Sequence, residues 1–531
     1  MTFNCRFLKL GHVISHQTIF SMNAPSKAPL LLGNDSVVNK ENFPQAIQQA
    51  IEIEIATIPV YLYTYYSINR NPNQDELIKQ LTADLLAAGK TKEEASTLAQ
   101  ELSADIMVYA NRAGALIMSV VIEEMLHMAL SSNIKQATVG QPELLYKTPT
   151  SWPAYLPGHI PEFPINRSKL SFRSLYTFLQ IESPDKLKEP GTEMLLAAKP
   201  IEYTTIGEFY SQIEKYLGSA DVEYHPERPQ LIPGKGYYTN NTIDTIYYNR
   251  EHKPVFTNAE DSGDLIYVTD AESAIAAMQE IVEQGEGHTP EPGSGLTTGL
   301  NANGTVNCAP GNIDDTDNPS GDEESHFFKF NQVYCDLHKY LHKFAHAMGK
   351  EVCDVGDQDA SAKTYFDPAK LDEINDEFFT KYFVLNVPEN PSVADYTSPA
   401  VQKVATLTNA IYTYIFLMSE DCYRRKGHTQ YELFMFGIHK SMIFILNSLC
   451  GELTGMSYVA KDGKTYNAAP TFEDYHFATS SSPKSQLIEL FNSAVGAYDG
   501  IAYLGQRIHD LPDVPLEPYL DKEKGKLSFA G

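Results

Sequence analysis

The stretch Glu123-Glu-Met-Leu-His-Met-Ala-Leu130 decides how this chain is read. It lies in a run from about Ser103 to Gln136 that contains no proline and one glycine, Gly114, so it is expected to form a single helix. At ~1.5 Å per residue that helix is roughly 50 Å long. Residues three apart share a helical face, so Glu124 and His127 point the same way. Met125, Leu126, Met128 and Leu130 surround them with apolar side chains, which predicts a buried site rather than a solvated acidic turn. A buried carboxylate needs a partner. A second Glu-x-x-His, Glu323-Glu-Ser-His326, opens another helical run expected from Glu323 to about Val352.

Two such motifs on different helices, with one further Glu from each of two more helices, make the carboxylate-bridged two-metal arrangement of a four-helix bundle. Carboxylate oxygens suit hard divalent metals and imidazole suits iron. Without metals, clustered carboxylates repel and take up protons. The first of the two remaining helices is the run around Ile51, where Ile51, Ile55, Ile58, Leu62 and Tyr65 recur every three to four residues and Pro59 predicts a kink. Its candidate ligands are Glu52 and Glu54. The other is the run from about Asp270 to Gln284, closed by Gly285 and Gly287. Its candidates are Glu280, Glu283 and Glu286; continuing the apolar series Ile275, Met278, Val282 by four favours Glu286.

The expected fold is mainly α: a four-helix bundle with a long crossover between its second and third helices and extra C-terminal helices. Residues 1–40 read as an irregular arm and 41–355 as the bundle, with the crossover at 137–269. A polar loop at 288–322, rich in Gly, Asn, Asp, Thr and Pro, is expected to be mobile. Residues 356–531 read as a helical extension packed on the bundle, with helices near 400–425, 429–455 and 484–507. Asp75–Leu86 and Lys92–Leu102 are expected as separate helices. Thr91 with Glu94 makes a capping box for the latter. A short amphipathic helix is expected at Thr205–Leu217, and strands or a folded loop over 230–270.

With Lys plus Arg at 41 and Asp plus Glu at 68, the net charge is −27. That balance argues against nucleic acid or an anionic membrane as a partner, since both recruit clustered Lys and Arg. No stretch was expected to approach the roughly 18–20 apolar residues that span a bilayer. The first 21 residues lack acids and carry Arg6 and Lys9, so they read either as a weak targeting segment or as preceding a start at Met22. The six cysteines lack CxxC spacing and read as reduced thiols of a cytoplasmic protein.

Several strings carry a family resemblance in consistent order across residues 40–475. Ile51-Glu-Ile-Glu-Ile-Ala-Thr-Ile-Pro-Val-Tyr-Leu62 and Glu123-Glu-Met-Leu-His-Met-Ala-Leu130 come first. Leu156-Pro-Gly158, Phe178-Leu-Gln-Ile-Glu-Ser-Pro184 and Thr205-Ile-Gly-Glu-Phe-Tyr210 follow. Gln284-Gly-Glu-Gly287, Glu323-Glu-Ser-His-Phe-Phe-Lys-Phe330 and Ala469-Pro-Thr-Phe-Glu473 complete the series. Together they resemble the ferritin-like domain family that contains iminophenyl-pyruvate dimer synthase, the violacein-pathway imine-coupling enzyme. The resemblance implies metal ligands at Glu54, Glu124, His127, Glu286, Glu323 and His326, with Glu324 leaving the exact ligand at that end open. Ile55 departs from the family, where a polar residue is expected.

The leading expectation is therefore a ferritin-like, two-metal oxidase or oxygenase. Iron is the first choice of metal and manganese the second. O2 and a small organic substrate are the expected partners, the latter an amino-acid-derived imine or related secondary-metabolite intermediate, and an oligomer stays open. The alternatives are a metal-binding or ferroxidase-like protein without an organic substrate, and a structural protein that keeps the fold. Tyr61 lies seven residues after Glu54 on a similar face. It reads either as a catalytic proton or electron donor near the metals, or as a core residue with a satisfied hydroxyl. His338, His342 and His346 form a stripe that reads first as a polar face, because Lys339 and Lys343 are interleaved, and second as another metal site.

Overall fold

The computed structural model describes residues 37–160, 162–183, 201–232, 265–285, 306, 308, 325–352, 368–521 and 526–527. Its spine is a helix longer than the sequence led us to expect. α1 (Phe43–Tyr66) and α2 (Gln74–Ala87) are followed by α3, which runs without a break over Lys92–Thr138. The two segments expected at Lys92–Leu102 and Ser103–Gln136 are one helix, because nothing at Leu102-Ser103 interrupts it; the Ser103 hydroxyl turns back onto the Gln100 carbonyl. At ~1.5 Å per residue α3 is roughly 70 Å long. Its start is the expected capping box, in which Thr91 and Glu94 bond each other's backbone N–H.

α3 packs on both α1 and α2. The crossover supplies α4 (Phe172–Ile181) and α5 (Ile206–Leu217), capped by Ser171 and Thr205. Most of residues 230–270, where strands or a folded loop were expected, lie outside the described residues. α6 (Ala271–Gln284), capped by Asp270, packs on α3 and α5; α7 (His326–Ala347) packs on α3 and α4. The four expected bundle helices are thus α1, α3, α6 and α7, with α4 and α5 filling the flanks. α1 accommodates Pro59 within its length and buries 20 of its 24 residues.

Two helix details differ from expectation. α7 begins at His326, not Glu323, because the Ser325 hydroxyl captures the Phe328 N–H and sets the N-cap there. On α6 the buried face is Ala274, Ala277, Met278, Ile281 and Gln284, rotated from the series Ile275, Met278, Val282. That rotation removes the periodicity that favoured Glu286, which itself lies outside the described residues.

After α8 (Pro368–Phe378), the C-terminal part holds α9 (Pro399–Cys422), α10 (Gly427–Gly455), α11 (Pro483–Val495) and α12 (Gly505–His509). A hairpin of β1 (Ser457–Val459) and β2 (Thr465–Asn467) follows α10. α9 packs on α10 and α11, and its neighbours join the apolar core continuously with α1 and α3. Within α10, Leu433–His439 and Ser441–Leu446 are π-helical.

Two expectations about the chain's chemistry need correction. Cys308 and Cys335 form a disulfide, tying the segment ahead of α7 to its third turn, whereas all six cysteines had been read as reduced. The pairing needs no CxxC motif, because the fold brings two thiols 27 residues apart to a Cα–Cα distance of 5.3 Å. Cys422 and Cys450 are free and buried. Two helices, α3 and α10, are also long and apolar enough to cross a membrane, contrary to the reading that no stretch comes close. Their apolar windows are 83% and 56% buried inside the protein, as core helices are.

One carboxyl of this C-terminal part predicts a pH response. Burial holds Asp474 up at about 7, against hydrogen bonds from Thr148 that favour the charged form. A raised acid binds more protons folded than unfolded between pH ~4 and ~7, so stability falls as pH rises through that window. Asp474→Asn should remove this slope. Relative to the variant, the wild type is expected to lose about 1–3 kcal/mol between pH 4 and 7 in paired denaturant titrations. Parallel pH profiles of the two chains contradict this.

Candidate metal centre

α1, α3, α4 and α7 converge on a buried group of carboxylates and imidazoles. Glu54 comes from the middle of α1, Glu123, Glu124 and His127 from α3, and His326 is the first residue of α7. Each is at most 3% exposed. The sixth contributor is Glu182, the residue that ends α4 in the crossover, also 3% exposed. Two triads have ligand atoms that all lie within 4.8 Å of one another: Glu54, Glu124 and His127; and Glu124, Glu182 and His326. Glu124 belongs to both and sits between them. The imidazoles of His127 and His326 stack with centroids 5.1 Å apart.

Four of these side chains are held from behind. The Tyr210 hydroxyl of α5 donates to Glu54 and the Tyr61 hydroxyl of α1 donates to Glu182. Gln284 Oε1, at the end of α6, lies 2.9 Å from His127 Nε2, so that nitrogen is the donor and Nδ1 faces Glu54 at 3.9 Å. Lys329, one turn into α7, donates to both oxygens of Glu123, with Oε1 at 2.7 Å. Phe178 and Phe330 clamp the Tyr61 ring at centroid distances of 4.7 and 4.9 Å.

The electrostatics are those of carboxylates lacking cations. Burial and the neighbouring Glu124 charge hold Glu54 well above the usual carboxylate range. Burial and the same charge also raise Glu182. Glu124 moves the other way, to about 2: burial opposes ionisation, but hydrogen bonds from Glu54 and His326 outweigh it. Burial pulls His127 down to about 4, so it is a neutral base. His326 is held well above an ordinary histidine, because the Glu123, Glu124 and Glu182 carboxylates around it outweigh its burial. Without a metal, protons on Glu54, Glu182 and His326, together with the Lys329 ammonium, balance the charge. Burial and the surrounding carboxylates raise the Tyr61 and Tyr210 hydroxyls far enough that both stay protonated donors.

Two observations test whether metal ions fit. Both ring nitrogens of His326 are buried and lack a hydrogen bond of acceptable geometry, although carboxylate oxygens lie 3.0–3.6 Å away. A ring with orphaned nitrogens aimed at carboxylates is what a metal ligand looks like without its metal. A void of about 20 Å³ between Glu54, Glu124, His127 and Tyr210 is room for one water-sized species. The residues fit a pair of divalent ions. Three carboxylates, Glu54, Glu124 and Glu182, cancel three of the four positive charges such a pair brings.

The expected ligands Glu54, Glu124, His127 and His326 therefore meet in one place. Glu52 does not join them and pairs with Lys147 at 3.0 Å. Glu283 is exposed and Glu280 accepts from Gln284, so neither faces the group. Glu286, Glu323 and Glu324 lie outside the described residues. Sequence reasoning missed Glu182 as a ligand, and Tyr210, Gln284 and Lys329 as supports. On the histidine stripe, His338 and His342 are half-buried with rings 4.5 Å apart and His346 is exposed. Among the described residues the stripe forms no group of three metal-ligating side chains.

A mostly helical protein whose helices enclose a buried carboxylate–histidine group of this composition falls in the class of bundle proteins able to hold a two-metal centre. The Ferritin-like family model matches residues 47–335, just over half of the chain, and the chain belongs to that family. A crystal structure of a ferritin-like protein from Caulobacter vibrioides is similar at 17% identity and a TM-score of 0.34, covering 75% of this chain and 94% of that one. No curated protein matches.

Proposed function

We propose that the chain is a two-metal oxidoreductase, iron before manganese, that uses O2 to oxidise a small organic molecule. The observation that carries this reading is the pair of triads sharing Glu124, with the His326 nitrogens unsatisfied between carboxylates. A reduced metal pair, bound there, would supply electrons to O2. The protein's part is separate. Glu54, Glu124 and Glu182 would hold the ions with His127 and His326. Glu286 and Glu323 are the proposed further acids, and one more carboxylate is what neutrality requires.

Tyr61 and Tyr210 hold protons against Glu182 and Glu54, the two carboxylates most prone to protonation. A tyrosine in that position fixes the carboxylate's orientation by donating its hydroxyl hydrogen bond. Tyr61 also remains our candidate catalytic donor. Its packing against Phe178 and Phe330 and its hydrogen bond to Glu182 support the core reading, and the catalytic role is the part we propose. The resemblance to the imine-coupling enzymes directs the substrate choice toward an amino-acid-derived imine.

The experiment is O2 uptake by the Fe(II)-loaded chain, with and without imines prepared from aromatic and aliphatic 2-oxo acids. The expected result is substrate-dependent O2 consumption with an oxidised organic product, reduced at least tenfold in Tyr61→Phe. Oxidation of Fe(II) at one rate whatever organic molecule is present overturns this reading in favour of a ferroxidase.

A further inference from the structure

α3 carries two chemistries on two faces. Glu124 and His127 face the carboxylate group. Met118, Met125 and Ser132, spaced by seven and hence aligned two turns apart, face away from it. On that second side lies an apolar cavity of about 100 Å³, partly open to solvent, between α1, α3, α9 and α10. Ile58 and Leu62 of α1, Phe416 of α9, and Ile438 and Met442 of α10 complete its wall. Neither carboxylate, ammonium nor guanidinium lines it.

Three features set this cavity apart from an ordinary packing defect. The Ser132 hydroxyl on its wall is fully buried and has no hydrogen-bond partner, a cost of about 1–3 kcal/mol that a bound acceptor or donor removes. The α10 wall is built from two successive π-helical stretches, 433–439 and 441–446, a geometry that proteins mostly confine to single turns at functional sites. The thioethers of Met118, Met125, Met128 and Met442 line it with side chains that adapt to a guest.

We infer that this cavity is a binding site for a neutral aromatic molecule of about one ring, carrying a hydroxyl or carbonyl that bonds to Ser132. Apart from the His439 imidazole the wall offers an ionised guest no group that could balance its charge, which disfavours a carboxylate there. The volume suits one ring, since dry apolar cavities of similar size take up benzene. The site stands apart from the metal reading, because its guest lies on the opposite face of α3 from Glu124.

The test is calorimetric titration of the full chain with 4-methylphenol, toluene and 4-methylbenzoate at neutral pH. The expected result is saturable binding of one 4-methylphenol per chain, toluene about tenfold weaker for want of the hydrogen bond, and no benzoate binding. Ser132→Ala should bring the two neutral probes to equal affinity. Ile438→Phe fills the cavity and should abolish both; Met442→Trp does the same should that variant fail to fold. Thermal melts show that the variants fold, so metal loading does not enter the readout. Absence of binding by either neutral probe overturns the inference, as does binding that survives filling of the cavity or affinity for the benzoate equal to that for the phenol.

Discussion

Glu124→Ala is expected to abolish binding of both metals. Glu124 contributes to both triads, and its carboxylate lies 3.3 Å from His326 Nδ1 and shares a proton with Glu54. Removing it leaves the first triad with Glu54 and His127 and the second with Glu182 and His326, two ligands each. It also takes one negative charge from a site that is already one short for two divalent ions. Metal content measured on purified chains should fall from about two per chain to below about 0.2. Glu182→Ala should differ, removing one ligand from the second triad only and leaving about one metal. A Glu124→Ala chain that keeps its metals rules out the shared-carboxylate geometry, whatever activity it retains.

The second large effect concerns stability. Lys329 is 4% exposed and its ammonium is bonded to both oxygens of Glu123, itself 3% exposed. Lys329→Met removes the cation and leaves a buried carboxylate facing only His326 Nε2 at 3.0 Å. Breaking a buried pair by deleting one partner costs about 3–5 kcal/mol, far more than the intact pair contributes. The variant's denaturant midpoint, measured on the metal-free chain, should drop accordingly. The double change Glu123→Leu with Lys329→Met should recover much of the loss, because no orphaned charge remains. A single variant within about 1 kcal/mol of wild type contradicts this account of Glu123. So does a double variant as unstable as the single.

These residues show what the sequence could reveal. Glu124 and His127 were legible because an acid and an imidazole inside a long apolar helix have only a weak bland reading, whereas the choice of Glu54 over Glu52 came from the family resemblance. His326 was legible as part of a motif, although its helix begins with it and Glu323 lies outside the described residues. Glu182 has no periodicity to find, since it ends a ten-residue helix in the crossover. A signal was present all the same. An acid at the negative end of a helix is electrostatically misplaced unless something draws it there. Lys329, set among Phe327, Phe328 and Phe330, called for a buried acid in the same way, and the doublet Glu123-Glu124 offered one. The disulfide between Cys308 and Cys335 left no trace, because 27 residues of separation carry no pairing information.

The bundle itself was readable from helix runs and from the Thr91 cap, while Thr205 and Asp270, read as first helical residues, are the caps of their helices. What failed were boundaries. α3 absorbed a segment that had looked separate, and Ser325 set the start of α7 three residues late. Both follow from local chemistry, a missing breaker in one case and a capping hydroxyl in the other.

The central claim is that the α1, α3, α4 and α7 side chains hold two metals that share Glu124. Its most direct test is anomalous scattering at the iron edge from crystals of the wild-type chain loaded with Fe(II) under anaerobic conditions. We expect two peaks about 3.5–4 Å apart, one within bonding distance of Glu54, Glu124 and His127 and the other of Glu124, Glu182 and His326. A single peak, or two peaks of which neither touches Glu124, contradicts the account.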